Sequence, residues 1–151
     1  MQLILWRHAQ AEDGKSDLER ELTAKGRRQA AKVAAWLRKR LPEKCRVLAS
    51  PAVRARQTAA ALGMEVSVVE RLAPGASVND LLEAAGWPDD ADVSTIVVGH
   101  QPTLGRVSAQ LVSGSAAEWS VRKGGLWWLE YRKRDGGGQV VVRAVLSPDL
   151  V

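Results

Sequence analysis

The sequence has no phenylalanine, one tyrosine, one cysteine and two histidines among 151 residues. With one cysteine there is no intramolecular disulfide and no cysteine-rich zinc site. Cys45 opens an apolar run and reads as core in a reducing compartment. Without phenylalanine, six tryptophans must supply most of the aromatic volume. Among them, Trp119 and Trp127 are expected to pack in the core. No apolar stretch approaches the roughly 20 residues of a membrane-spanning helix. Met1 leads into an apolar strand without a basic segment and apolar signal region, so a cytoplasmic protein with no membrane partner is expected. Repeats, linkers and low-complexity tracts are also missing, which implies a single domain over 1–151 able to bury a core without staples. The net charge is +5, yet Arg and Lys are scattered among carboxylates rather than gathered into a basic tract with aromatics. Nucleic acid is therefore not an expected partner, and the positive charge is better suited to attracting anionic substrates.

What is present is alternation. Gln2 to Trp6 reads as a buried strand that breaks into Arg7-His8, and residues 9 to 21 read as a polar surface loop. Thr23 is placed to cap a helix from Ala24 to about Arg40, stopped by Pro42. Cys45–Ala49 is a second strand, and Ser50-Pro51 carries the chemistry of a helix start for a helix reaching Leu62. Further strands are expected at Glu65–Val69 and Ser94–Val98, with helices at Val78–Ala85 and Thr103–Leu111. Past Gly114 the pattern becomes a hairpin, Gly125–Tyr131 and Gln139–Leu146, turning through residues 135–138. This order predicts a three-layer α/β/α sandwich whose central sheet is mostly parallel and carries a C-terminal antiparallel hairpin.

In such sheets ligands sit at the carboxyl ends of the strands. Both histidines, His8 and His100, stand just past the end of a strongly apolar strand, and Arg7 precedes the first. One strand-end histidine alone is ordinarily structural; two at equivalent places favour a site. Arg54, in the first turn of the second helix, lies near the same edge, whereas Arg56 reads as surface. Two guanidinium groups and two imidazoles make a poor metal site and a good phosphate site, because arginine forks match phosphoryl oxygens in pairs. Neutral imidazole is a competent nucleophile at phosphorus, and Arg7 and Arg54 should keep His8 unprotonated. A protonated His100 would hold a phosphoryl oxygen, helped by the amides at the start of the fourth helix.

Four stretches together resemble the histidine phosphatase superfamily, and within it the small SixA-type branch that acts on phosphohistidine. They are Leu3-Ile4-Leu5-Trp6-Arg7-His8-Ala9, Arg20-Glu21-Leu22-Thr23 with Gly26, Ser50-Pro51 through Arg54 to Gln57-Thr58, and Val97-Val98-Gly99-His100-Gln101-Pro102. The resemblance implies a phosphoglycerate mutase-like fold and a phosphatase that needs no cofactor or metal. It assigns His8 as the nucleophile, Arg7, Arg20 and Arg54 as phosphate-binding, and His100 as completing the pocket. Arg20, read from the residues alone, is an exposed charge before a helix. Ala9 stands where the family usually has glycine. For the general acid of ester-cleaving members, Glu70 is the nearest candidate by position; a solvated strand-end carboxylate is its other reading. A site without an acid favours N–P bonds over esters, and the chain has no spare length for a roof over the pocket. The expected substrate is therefore a phosphohistidine-containing protein, or else a small phosphorylated compound. A phosphomonoesterase on small esters and a non-catalytic phosphate-binding module are the alternatives, and a monomer is expected.

Overall fold

The computed structural model describes residues 1–151. Six strands form one sheet in the order β3-β2-β4-β1-β5-β6. They are β1 (Gln2–Arg7), β2 (Cys45–Ala49), β3 (Val66–Val68), β4 (Ser94–Gly99), β5 (Leu126–Arg134) and β6 (Gly137–Leu146). The first four run parallel and the last two join antiparallel, as the alternation requires. The helices are α1 (Ala24–Arg38), α2 (Val53–Ala60), α3 (Val78–Ala85) and α4 (Thr103–Ser113).

Strand β1 lies between β4 and β5, and its residues Leu3 to Trp6 are wholly buried. Side chains alternate across a strand, so Ile4 and Trp6 pack on one face with Val33, Leu37 and Ala55 of α1 and α2. Leu3 and Leu5 pack on the other with Leu81, Leu104 and Val107 of α3 and α4. Both faces of the sheet are thus covered, and each buried aliphatic side chain contributes roughly 1.5–3 kcal/mol as an upper figure. Thr23 caps α1 by accepting from the Gly26 amide at 2.9 Å. A Cβ on Gly26 would collide with the Gln10 carbonyl, so glycine lets the first turn lie against the strand-end segment.

Several boundaries depart from the sequence reading. Helix α2 runs from Val53 to Ala60, against an expected span from about Ala52 to Leu62, with Ala52 at the cap position and its amide donating to the Ser50 hydroxyl at 3.2 Å. The hairpin is longer than expected: Gly137 and Gly138 belong to β6, which leaves Asp135-Gly136 as the turn. A Cβ on Gly138 would strike the Tyr131 ring across the strand pair, so this glycine serves packing rather than turning. The 9–21 segment contains a single 3-10 turn, Asp17–Glu19, and Ala11 bridges to Leu22. Trp119 and Trp127 are half-buried and lie against each other with ring centroids 5.3 Å apart, at the margin of the core. Cys45 is half-buried, and burial pushes its thiol up to about 11. No helix is long and apolar enough to cross a membrane.

Candidate active site

Strand register brings the two histidines together. Arg7 pairs with Gly99 across β1 and β4, and the His8 amide donates to the Gly99 carbonyl at 3.1 Å. The Ser50 amide, at the end of β2, donates to Val98 at 3.0 Å. Three parallel strands therefore end at one level, and the His8 and His100 ring centroids stand 5.1 Å apart. Arg7, His8, Arg20, Arg54 and His100 line one cavity of about 340 Å³ together with Asp17. Ala11, Pro74, Gln101 and Lys123 complete its wall.

His8 is 7% exposed, and its Nδ1 lies 2.8 Å from the Ala9 carbonyl oxygen. A carbonyl only accepts, so Nδ1 carries the hydrogen and the Nε2 lone pair is free. Burial first, then the charges of Arg54, Arg7 and Arg20, lower the His8 pKa to about 4. The sequence reading credited the arginines with this effect; desolvation is the larger cause.

His100 is arranged the other way round. Its Nε2 is 2.7 Å from Ser50 Oγ, and its Nδ1 faces an Arg54 terminal nitrogen at 3.5 Å. Arginine has no acceptor, so Nδ1 presents its lone pair there and Nε2–H donates to Ser50. Burial, His8 and Arg54 lower the His100 pKa to about 3. His100 is thus neutral in the free protein, and the protonated form expected from the sequence concerns only the complex with phosphate.

The arginines differ in their ties. Arg54, 3% exposed, donates to the Asp17 carbonyl at 2.7 Å and to its carboxylate at 3.1 Å. Arg7 donates from one terminal nitrogen to the Val121 carbonyl at 2.7 Å. Each retains a buried Nε–H with no acceptor in the chain, as a pair of guanidiniums held for an anion would. Arg20 holds Asp17 Oδ1 at 2.9 Å and lies at the cavity wall rather than wholly in solvent. Arg56 is exposed.

Ala9 has ordinary backbone geometry, no residue other than glycine having positive φ. Its methyl is buried with Leu22 and Ala30, and its amide donates to Thr58 Oγ1 at 3.0 Å. Glycine is not required there. Glu70 is exposed in a 3-10 turn, Glu70–Leu72, and the nearby chain offers Pro74 to the cavity instead.

Three contributors escaped the sequence reading. Asp17 lies three residues before Arg20, and that spacing was the available clue. The Ser50 hydroxyl accepts from the Ala52 amide at 3.2 Å, as a helix start suggests, and in addition from His100, which the sequence does not signal. Lys123 had no local signal. No group of three or more His, Cys, Asp or Glu side chains is placed to hold a metal ion.

Comparison with known proteins identifies the family. Residues 3–74 match the model of the histidine phosphatase superfamily (branch 1), a span holding Arg7, His8, Arg20 and Arg54. The uncharacterised protein Rv1276c of Mycobacterium tuberculosis strain H37Rv is 37% identical over 119 residues, 76% of this chain and 75% of the relative. Phosphohistidine phosphatase SixA of Escherichia coli K12 is 32% identical over 123 residues, 76% of each chain. The structure of the protein histidine phosphatase SixA complexed with tungstate superposes with a TM-score of 0.83 at 26% identity, covering 99% of both chains. The chain, with two strand-end imidazoles and the arginines around them, belongs to the histidine phosphatase superfamily and is a phosphatase of SixA-like fold.

Proposed function

We propose that the protein removes the phosphoryl group from phosphohistidine, through a covalent phospho-His8 intermediate. The observation that carries the substrate preference is the state of the one carboxylate in the cavity. Asp17 is ion-paired to Arg20 and Arg54, and those bonds, Arg20's first, hold its carboxyl below the usual range. It is ionised at neutral pH and has no proton to give an alkoxide. A phosphoimidazole needs none from the enzyme, because its leaving ring can carry a proton on the distal nitrogen and depart neutral.

In the first step His8 Nε2 forms the N–P bond as the substrate's N–P bond breaks in line. Imidazole replaces imidazole at phosphorus, so the exchange is close to balanced. Arg7 and Arg54 hold the equatorial oxygens and neutralise their charge. The entering dianion also favours protonation of His100 at Nδ1, converting a lone pair into a further donor. Water then attacks the phosphorus of phospho-His8, the N–P bond returns its electrons to Nε2, and inorganic phosphate leaves.

The test is a panel of phosphohistidine protein, phosphoramidate and sugar phosphates, assayed with the native protein and with His8→Ala. Turnover of the N–P substrates that vanishes in the variant is expected. Faster turnover of sugar phosphates would assign the site to esters, and retained activity in His8→Ala would remove the nucleophile.

A further inference from the structure

Four cations line the cavity, Arg7, Arg20, Arg54 and Lys123, against the single carboxylate of Asp17. Both histidines are neutral. A phosphoryl dianion bound beside His8 therefore leaves at least one positive charge unmatched, before any proton taken up by His100. The arginines have defined tasks: Arg20 and Arg54 hold Asp17, and Arg7 is tied to Val121. Lys123 makes no ion pair and no side-chain hydrogen bond, while its neighbour Arg122 is 3.9 Å from Asp149.

Lys123 is exposed, yet its backbone is not free to wander. Two residues earlier the Val121 carbonyl accepts from Arg7, and one residue later the Gly124 amide reaches the Arg7 and His8 carbonyls at 3.2 and 3.1 Å. Gly124 takes φ of +74°, a conformation that L side chains rarely adopt. Upstream, the Trp119 carbonyl accepts from the Gln101 side chain at 2.8 Å, with Gly105 lacking a Cβ where that carbonyl approaches. The segment that carries Lys123 is thus fastened to the Arg7-His8 pair itself. A long cationic side chain on a fixed stem at the cavity wall is suited to reading charge next to the transferred group.

We propose that Lys123 is a specificity-determining residue, selecting phosphoryl substrates whose leaving part carries a second anionic group close to the scissile bond. The inference rests on the phosphatase reading of the same cavity and narrows it. In a protein substrate the second anion is an acidic residue beside the phosphohistidine; in a small substrate it is a carboxylate or another phosphate.

The experiment compares two non-hydrolysable ligands, methylphosphonate with one anionic group and phosphonoacetate with two, by titration calorimetry. The native protein is expected to favour phosphonoacetate about tenfold, the equivalent of about 1.4 kcal/mol. Lys123→Ala should bring the ratio close to one, and Lys123→Arg should keep it. A ratio near one in the native protein, or an equal weakening of both ligands in Lys123→Ala, would overturn the proposal. Phosphohistidine peptides with Glu or Gln beside the modified residue then separate a protein source of the second anion from a small-molecule one. Preference in binding without turnover of any substrate would overturn the phosphatase reading and leave the role of Lys123 standing; turnover without preference would do the reverse.

Discussion

The ends of β1 and β4 look equivalent and are chemically opposite. Each releases a buried neutral imidazole beside Arg54 at the same level of the sheet. His8 spends its Nδ1–H on the carbonyl of the next residue, which leaves Nε2 free to attack. His100 spends Nε2–H on Ser50, one strand away, and aims Nδ1 at Arg54. In the proposed mechanism the same side chain serves as nucleophile or as charge-responsive donor according to which nitrogen its second partner occupies.

The sharpest way to break that comparison is to remove each ring. His8→Ala should cost about 10⁴-fold or more in kcat, as loss of a nucleophile does, and should abolish trapping of ³²P on the protein. His100→Ala removes a charge-stabilising group and should cost on the order of 10²- to 10³-fold, with the phosphoenzyme still trapped. Equal losses would erase the distinction.

The pH dependence comes next. An unfolded histidine protonates near 6.5 whereas folded His8 does so near 4. The unfolded chain thus gains the proton first, so stability is complete above about pH 6.5 and falls as pH drops toward 4. The loss is on the order of 3 kcal/mol for His8, measurable by urea unfolding across that range. In NMR titration neither imidazole should titrate between pH 5.5 and 8, and with two histidines in the chain the assignment is direct.

Smaller effects test the supporting groups. Ser50→Ala frees the His100 ring and should lower kcat about tenfold, the scale for losing a group that orients a reacting side chain, while Ser50→Thr restores it. Asp17→Asn removes the carboxylate held by Arg20 and Arg54 and should tighten vanadate inhibition about threefold, since the Asp17 carboxylate is itself exposed and solvent-screened pairs are worth under about 1 kcal/mol. That gain should shrink with added salt.

The two halves of the site were not equally legible. Arg7, His8, Arg54 and His100 follow apolar strands or open a helix, and periodicity alone brings those elements to one edge. Asp17, Ser50 and Lys123 sit in segments with no periodicity. Ser50 was even legible as something else, because a hydroxyl before proline has the same composition whether it caps a helix or orients an imidazole.

Taken alone, the sequence determined the alternating layers, the parallel sheet with its late hairpin, and the meeting of two imidazoles with arginines. Those follow from hydrophobic period and strand direction, which are local properties repeated along the chain. The His100 tautomer, the Asp17–Arg54 bridge, the dominance of burial over charge in lowering both histidines, and Lys123 at the cavity wall were decided by tertiary structure alone. Each depends on partners distant in the chain, 37 residues apart for Asp17 and Arg54, 50 for His100 and Ser50, and 114 for Arg7 and the Val121 carbonyl that anchors the Lys123 segment, and such contacts exist only once the sheet has closed.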